Sequence, residues 1–600
     1  MAMTVVDPAT PPKQSERTAA TLHNRRISSG QIVASQAALV AWLAAYGQRP
    51  PVVAAAGLGA AAVLAATWVR LRGRWGYQWL ASVVGYLSRR RTIGADAHPA
   101  VLLDWVRPGA RVVADVCDGE PAGVIEEIHA RTALLELDRH DTLVSDAVAW
   151  LPPLSDLCGP GIRLHLVVSA VAPQAGPGAP ATSYRQLTEH TLAARSSAPH
   201  RRAPVLARQR VVLAVQALRG EGADPEEVAG TLGGAVRRVR RRLGATVGVR
   251  LLTEPAVHAV LADLAHHDGA HPVRESWTGV RIGGLVQATY RLPRWPTGPD
   301  GPPFVARLLA LPAAATTVGL SVGPGGRNSL AVRLAATSPA ASAAATQALR
   351  RVLDGHAVPA WPCDGAQAPA LAATLPIGAD HSGRHERPGA AAPPQPAIGG
   401  DGLVLGLDRH GAAVTVRAFR PEPTTLLLVG AVRAAQLLTL RALALGAQVV
   451  VRTGRPGAWE PFVRAVSAPG HLVAVVPPGQ PAFDGSGTAL RPQLVVDDAT
   501  PSAGVLPVPP APWRTVLTVR EELTPADIDP LTRADLVVAQ PLTPAEAALA
   551  TQALGLGDVG EWLARIRGDM VGVVHQRSIR WAVLATTQIE QQLLGRVARG

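Results

Sequence analysis

Two adjacent carboxylates, Asp497 and Asp498, end an apolar strand in the segment LVVDDATP. Carboxylate oxygens bind divalent cations, and a nucleotide-sugar transferase would hold its metal ion with such a pair. The sequence offers neither a base nor a second carboxylate cluster at a spacing that pairs with them. Asp497 and Asp498 are therefore only weak metal candidates, and acidic residues of an ordinary loop are the competing interpretation.

A histidine cluster, His266, His267 and His271, lies in the segment AHHDGAH and could bind a transition metal. Gly269 interrupts the helix that would align His267 with His271. We therefore predict a helix end at the protein surface here and no metal site. The sequence also lacks the motifs of serine, cysteine and zinc-dependent hydrolases.

The basic run Arg237–Arg242 is a candidate phosphate-binding face. Its alternative is a solvated helix end, because acidic residues at 224, 226 and 227 open the same predicted helix. Acidic residues at the start and basic residues at the end both suit the helix dipole. The helix-end interpretation is the one we adopt.

A nucleotide site is the other chemistry that the fold pattern invites. The segment TLLLVGAVRAA has a single glycine, Gly430, in its strand-to-helix turn, whereas a dinucleotide fingerprint has three. A lone glycine commonly just closes such a turn. We therefore predict no cofactor.

The composition excludes several enzyme classes. The net charge is +13, but Lys13 is the single lysine among 58 basic residues. A P-loop and a Schiff-base site each need a lysine, so the chain is not itself a P-loop ATPase. Since the charge reflects arginine usage, we predict no nucleic-acid partner. Since no catalytic motif is found, we also predict no enzymatic activity.

Two uncharged stretches near the N-terminus are typical of membrane helices. About twenty residues of helix span the roughly 30 Å of a bilayer core. We predict a cytoplasmic tail over 1–26 and transmembrane helices over 27–46 and 52–71. Basic residues cluster before the first and after the second helix, against Arg49 alone in the turn, so both termini are predicted to be cytoplasmic.

Small residues recur at four-residue spacing on both predicted membrane helices. Such stripes let helices approach closely. The packing candidates are Ala37, Ala41, Ala45, Gly57, Ala61 and Ala65. Packing within the hairpin and packing against a partner remain equally open.

Residues 72–91 are predicted to form an amphipathic helix beside the membrane. Aromatic residues favour the membrane–water interface, and arginines there attract anionic lipid headgroups. The interface candidates are Trp68, Arg70, Arg72, Arg74, Trp75, Tyr77, Trp79, Arg89, Arg90 and Arg91.

The remaining chain is predicted to be a cytoplasmic α/β region with Rossmann-like or glycosyltransferase-like βαβ units. Its predicted parts are a first domain over 100–365, a linker rich in Pro, Ala and Gly over 366–400, and a second domain over 401–600. The strand–helix–strand spacing from residue 424 implies a parallel sheet. A helix is predicted over 204–220.

Three segments in this order resemble the EccE family of the actinobacterial type VII (ESX) secretion system. They are RGRWGYQWLA, VRESWTGVRIGGLVQATYRLPRWP and FRPEPTTLLLVGAVRAAQLLTLRALALGAQVVVRTGRPGAWEPFV, behind the two membrane helices. The resemblance spans most of the chain, and its specificity lies in the combination of the segments.

The resemblance implies a structural subunit of the plasma membrane that stabilises a secretion complex. The implied partners are EccB, EccD and the FtsK-like ATPase EccC, with a mycosin protease as a further candidate. The family assigns no catalytic residues to this chain. The competing hypothesis is a membrane-tethered, glycosyltransferase-like enzyme that acts on a nucleotide sugar through Asp497 and Asp498.

Overall fold

The structure is a computed structural model, and it divides into two compact units, one up to Arg89 and one from Arg90 to Gly600. It describes residues 29–71, 74–138, 143–145, 148–173, 179–194, 206–220, 222–296, 301–324, 327–378, 387–388, 395–467, 473–499, 507–595, 597 and 599.

The described part of the N-terminal unit consists of three helices and one pair of short antiparallel strands: α1 Ser29–Ala44, α2 Pro50–Trp68, β1 Arg70–Leu71, β2 Arg74–Trp75 and α3 Gly76–Ser88. Pro50 and Pro51 suit the first turn of α2, where a missing N–H costs no hydrogen bond. The amphipathic helix predicted over 72–91 thus occupies a shorter range.

One described helix, α2, is long and apolar enough to cross a membrane by length and composition, with a mean hydropathy of 1.7. The described apolar part of α1, Gln31–Ala44, is shorter. Of the predicted membrane hairpin, the structure therefore supplies one helix that could span a bilayer.

The second unit contains two large sheets. Its strands are β3 Thr92–Ile93, β4 Arg111–Cys117, β5 Glu120–Glu127, β6 Ala130–Asp138, β7 Val144–Ser145, β8 Ala149–Trp150, β9 Ile162–Val171, β10 Arg208–Leu218, β11 Gly248–Leu251, β12 Val273–Glu275, β13 Val280–Ile282, β14 Leu285–Leu292, β15 Ala315–Val322, β16 Arg327–Ala336, β17 Trp361–Pro362, β18 Arg387–Pro388, β19 Ala397–Ile398, β20 Leu403–Leu407, β21 Ala413–Val416, β22 Thr424–Val429, β23 Gln448–Thr453, β24 Val473–Val476, β25 Gln493–Asp498, β26 Arg514–Arg520, β27 Leu536–Ala539, β28 Met570–His575 and β29 Ser578–Val583.

The helices of this unit are α4 Pro99–Val106, α5 Leu154–Leu157, α6 Ala179–Ala194, α7 Pro225–Leu243, α8 Glu254–Ala265, α9 Gly301–Leu309, α10 Pro339–Asp354, α11 Gln367–Ala370, α12 Val432–Ala444, α13 Pro456–Val466, α14 Ile528–Arg533, α15 Pro544–Leu554 and α16 Gln588–Leu594. Among the described residues, three 3₁₀ helices span Leu371–Thr374, Pro525–Asp527 and Gly557–Ala564.

The first sheet has 14 described strands in the order β3-β12-β13-β14-β16-β15-β9-β10-β6-β5-β4, with β11 beside β6, β17 beside β14 and β18 beside β16. Its strand pairs are antiparallel. The central strand β9 is buried along its whole length. Both faces of this sheet are therefore covered at its centre.

The helix predicted over 204–220 is wrong, because β10 occupies Arg208–Leu218 as a strand. Its sequence, RQRVVLAVQAL, is a short apolar run, and such a run fits a buried strand and a buried helix equally well by periodicity. This segment forms a strand because it pairs with β9 on one side and with β6 on the other.

The second sheet has 11 described strands in the order β24-β23-β25-β26-β22-β27-β28-β29-β20-β21-β7. The six from β24 to β27 are parallel, as predicted. In the dinucleotide-binding order the first strand lies between the second and fourth, whereas here β22 lies between β26 and β27. The fold is mixed α/β, and the Rossmann-like units stay a prediction.

One of the apolar core clusters includes residues of both sheets. Helix α6, from the first half of the chain, places Tyr184 and Leu187 among buried residues of α12 and the parallel strands. The Tyr184 hydroxyl donates to the Gly402 carbonyl (2.9 Å) and accepts from the Val404 N–H (3.2 Å). Strands β7 and β8 also pair with β21 and β19.

The beginning of the segment predicted as a linker is folded. Helix α11 and the 3₁₀ helix after it are largely buried, and the Gln367 side chain accepts a hydrogen bond from the Thr289 N–H at 2.9 Å. Residues 379–386 and 389–394 of the predicted linker lie outside the described residues. The division into domains at 100–365 and 401–600 stays a prediction.

Candidate functional site

Helices α1 and α2 are joined by polar groups at the end away from their turn. The Gln31 amide donates to the Thr67 carbonyl at 2.9 Å, and the Trp68 indole N–H donates to the Ser35 hydroxyl at 2.8 Å. Ser35 in turn donates to the Gln31 carbonyl at 2.8 Å. These four residues fix the two helices side by side.

The predicted packing stripes lie mostly off the contact between α1 and α2. Ala45 and Gly57 are half-buried, and a Cβ on Gly57 would lie 3.3 Å from the Trp42 indole nitrogen. The other four predicted residues are exposed: Ala37, Ala41, Ala61 and Ala65. Most of the predicted stripe therefore faces away from the helix pair.

Large apolar side chains cover the outer surface of α1 and α2. The exposed ones are Ile32, Val33, Leu39, Val40, Trp42, Leu43, Tyr46, Val52, Leu58, Val63, Leu64 and Trp68. A contiguous apolar surface of this kind marks contact with a membrane or another protein.

The predicted interface residues are placed as follows. Trp68 and Tyr77 are exposed, Trp79 is half-buried, and the Arg89 guanidinium lies 5.8 Å from the centre of the Tyr86 ring. Arg90 donates to the Thr92 carbonyl at 2.9 Å, and the Arg91 carbonyl accepts from the Glu275 N–H at 2.8 Å. Arg72 and the side chains of Arg70, Arg74 and Trp75 lie outside the described part.

In the second unit, charged side chains gather where β10 begins. Arg210 lies between Glu136 of β6 (2.8 Å) and Asp263 of α8 (2.7 Å). Asp263 also faces Arg208 at 3.6 Å, and Glu136 also pairs with Arg250. The two acids are thus each shared between two arginines.

The same cluster continues into the second sheet. Arg417, after β21, pairs with Asp138 at the end of β6 and lies 3.9 Å from Asp401. The Asp401 carboxylate accepts a hydrogen bond from the Gln209 N–H at 2.9 Å, and the Gln209 amide donates to the Ala397 carbonyl at 2.7 Å. We call these eight charged residues the junction network: Glu136, Asp138, Arg208, Arg210, Arg250, Asp263, Asp401 and Arg417.

Burial and neighbouring charge shift the acids of the junction network in opposite directions. Burial raises the pKa of the Asp263 carboxyl, but the guanidinium groups of Arg208 and Arg210 outweigh it and lower the pKa to about 2. Burial raises the pKa of Asp401, and Arg417 offsets this only in part. Asp263 is therefore held in its charged form more firmly than Asp401.

A small cavity of about 30 Å³ lies within the junction network, lined by charged residues of both sheets. This volume suits one buried water bound by polar groups. Arg210 and Arg417 line the cavity together with the carboxylates of Glu136, Asp138 and Asp401, and among the described residues that line it there is no nucleophile with an adjacent base. The arrangement suits a structural connection between the sheets.

Asp498 does not present a free carboxylate at the end of β25. Its oxygens accept from Arg455 (2.7 and 3.0 Å), from the Trp459 indole (2.7 Å) and from the Thr453 hydroxyl (3.0 Å). The neighbouring Asp497 lies 3.9 Å from Arg452, and burial raises its pKa. Among the described residues no group of three His, Cys, Asp or Glu could hold a metal.

The histidine cluster is dispersed by the end of α8. That helix ends at Ala265, and His266 adopts a left-handed φ of 58° with a buried side chain, where burial lowers its pKa to about 3. His267 contacts the Ala97 carbonyl at 2.7 Å, and His271 pairs with Asp268 at 2.7 Å. The helix ends as predicted, although His266 is not at the surface.

Two buried arginines were missed by the sequence analysis. Arg441 of α12 donates to both Glu590 oxygens (2.9 and 3.0 Å) and to three backbone carbonyls. Arg333 of β16 donates to the Leu264 carbonyl at the end of α8, and burial lowers its pKa to about 9. A single arginine inside an otherwise apolar run was the available signal in both cases.

The fold and the junction network define a mixed α/β protein with an apolar helical N-terminal unit and a second unit held together by buried ion pairs. A family model described as "EccE: Putative type VII ESX secretion system translocon, EccE" matches residues 197–292 of the chain. The resemblance to the EccE family is confirmed by this match. The matched stretch includes Arg208, Arg210 and Asp263 of the junction network.

A member of this family is a component of a type VII secretion translocon, which implies a membrane location and association with other components of the system. No curated protein matches the chain.

Two solved structures of the genome packaging NTPase B204 from Sulfolobus turreted icosahedral virus 2 also match. The complex with AMPPCP is 8% identical and covers 27% of this chain and 97% of its own, with a TM-score of 0.19. The complex with AMP is 9% identical and covers 28% and 98%, with a TM-score of 0.20. At these TM-scores the likeness supports no conclusion about this chain.

Proposed function

We propose that this protein is a structural subunit of the plasma membrane that stabilises the type VII secretion complex of EccB, EccC and EccD. The EccE match over residues 197–292 is the observation that carries the proposal. The apolar outer surface of α1 and α2 supports membrane anchoring, because the exposure of so many apolar side chains to water on one helix pair is unfavourable.

The proposed anchor is a two-pass hairpin with both termini in the cytoplasm. Basic residues flank its two ends while Arg49 stands alone in the turn, which is the asymmetry that sets orientation. We further propose that the interface residues around α3 bind anionic lipid headgroups. A cysteine placed at Gln48 in the turn should react with a membrane-impermeant thiol reagent added to intact cells.

Partner helices are proposed to pack on the outward small-residue stripe of α2. Ala61 and Ala65 are exposed, and small side chains at four-residue spacing permit close helix contact. Ala61→Leu combined with Ala65→Leu should reduce recovery of EccB, EccC and EccD in detergent pull-downs. Ala62→Leu is the matched control, since Ala62 is exposed on the same helix outside that stripe.

Affinity purification of the full chain from its native membrane, in mild detergent, is the decisive experiment. The proposal predicts that the FtsK-like ATPase EccC is recovered with it. Recovery of the chain without EccB, EccC and EccD, from an extract in which these three proteins are still assembled with one another, would reject the proposal.

We do not propose the glycosyltransferase-like alternative. The Asp498 carboxylate already accepts hydrogen bonds from Arg455, Trp459 and Thr453. A metal ion would have to displace these donors. Calorimetry of the full chain with Mn²⁺ and a nucleotide sugar tests this directly, and saturable heat abolished by Asp498→Asn would restore the alternative.

A further inference from the structure

Helix α7 has an unusual outer face. Its buried face carries Val228, Leu232, Val236 and Val239, which pack into the core. On the exposed side, Gly230 and Gly234 lie four residues apart in the helix interior, and nothing lies within 4 Å of where a Cβ on either would be. The outer face therefore has a bare backbone at its middle.

The two glycines are costly where they stand. Glycine in a helix interior is less favourable than alanine by about 1 kcal/mol, and no contact within the described chain requires its small size at these positions. Gly233 differs, because a Cβ there would lie 3.7 Å from the Asp118 backbone nitrogen. Close approach of another backbone to Gly230 and Gly234 would account for both glycines.

Four charges of this face are arranged symmetrically about Gly234, whereas the exposed Arg238 has Gly230 as its counterpart. Glu227 and Arg241 lie equally far from it on the two sides, and so do Glu226 and Arg242. All four side chains are exposed, and among the described residues none has an ion-pair partner shown. Arg237 and Arg240, by contrast, pair with Asp118 at 2.6 and 3.5 Å.

We propose that α7 is a homodimer contact, in which the α7 helices of two copies of this chain cross antiparallel at Gly234. A twofold axis through Gly234 places Glu227 of each copy opposite Arg241 of the other, and Glu226 opposite Arg242. The helix dipole explains why acids open and bases close the helix, but it does not explain the glycines. The occupant is a second copy because Glu226 and Glu227 of this face are complementary to Arg242 and Arg241 of the same face about the twofold axis.

This contact is independent of the proposed secretion role, and it adds a partner that the role does not specify. A wild-type chain that recovers EccC but is monomeric would reject the contact alone. A wild-type chain that is dimeric but recovers no EccC would reject the proposed function alone.

Charge reversal is the first test, made on the full chain in mild detergent with the mass measured by light scattering. Glu227→Arg and Arg241→Glu should each weaken the dimer by about tenfold or more, because like charges then face each other. The double variant Glu227→Arg with Arg241→Glu should restore the dimer, because an acid and a base again face each other with their positions exchanged. Arg464→Glu is the control, because Arg464 is also exposed in the last turn of a helix.

Disulfide trapping is the second test, because a residue on the twofold axis meets its own copy. Gly234→Cys should give an oxidised dimer, whereas Gly457→Cys, at an exposed glycine of α13, should not. A wild-type chain that is monomeric, or a double charge variant that fails to recover the dimer, would overturn the proposal. In the second case the face would belong to an acidic partner helix.

Discussion

Two ion-pair systems of the second unit are built in opposite ways. Arg441 and Glu590 form a closed pair in which each side chain is 1% exposed and every arginine nitrogen donates to a described acceptor. The junction network is a series of ion pairs in which acids are shared between arginines. Asp401 at one end is buried, whereas the Arg250 side chain at the other end is 63% exposed.

The difference decides how each system responds to damage. A closed buried pair leaves an uncompensated charge when one member is removed, because no other group is near enough to replace it. In the junction network, a residue that loses one partner still has other charged residues beside it, and water can reach the exposed end at Arg250. The closed pair should therefore be the more sensitive of the two.

Glu590→Ala should produce the largest loss of stability. It leaves the Arg441 guanidinium buried without its carboxylate and removes the capping interaction with the Thr587 N–H at 2.9 Å. We expect a loss of roughly 3–5 kcal/mol, measured by denaturant unfolding of the detergent-solubilised chain.

The control for this change is the double variant Arg441→Met with Glu590→Leu. Removing both charges together avoids the unpaired guanidinium, so most of the stability should return. If the double variant is as unstable as Glu590→Ala, lost packing and not the buried charge explains the effect.

Asp263→Asn should have an intermediate effect that depends on pH. The pKa of Asp263 falls from 3.8 to about 2 on folding, so its contribution is present above pH 3.8 and is lost as the pH falls towards 2. The shift corresponds to about 2 kcal/mol at neutral pH.

Unfolding of both proteins at neutral pH and near pH 2 checks this prediction. The gap between wild type and Asp263→Asn should close at the lower pH, where the wild-type carboxyl is protonated. If the difference in unfolding free energy between wild type and Asp263→Asn were equal at both pH values, the negative charge of Asp263 would not be the source of its stabilising effect.

Arg250→Gln should have the smallest effect within the junction network. Arg250 is exposed at the rim, and its partner Glu136 keeps Arg210 at 2.8 Å. We expect a loss below about 1 kcal/mol that shrinks further in high salt.

Glu460→Gln is the matched surface control, since it removes the exposed pair between Glu460 and Arg464 within one helix. A rim variant that costs as much as Asp263→Asn would contradict the distinction between a shared network and a closed pair.

Local patterns in the sequence predicted many single elements correctly. The parallel strands from residue 424 and the end of α8 both follow from periodicity and turn residues. Where two structures suit the same pattern, as for β10, pairing with distant strands made the difference.

The junction network was beyond prediction for a physical reason. Its members come from β6, β10, β11, α8 and the segments beside β20 and β21, and no spacing along the chain links Asp138 to Arg417. The sequence marks both as ordinary charged residues near strand ends. The occupation of Asp498 by Arg455 and Trp459 was equally invisible, because it depends on how α13 packs beside β25.

The pairing of β7 and β8 bears on how the chain is made. Both strands lie before residue 151, yet their partners β19 and β21 are synthesised much later, up to Val416. At about 5–20 residues per second, the ribosome needs on the order of tens of seconds to add that length. During translation the two short strands must wait unpaired, so the second unit cannot finish folding in the order in which it emerges.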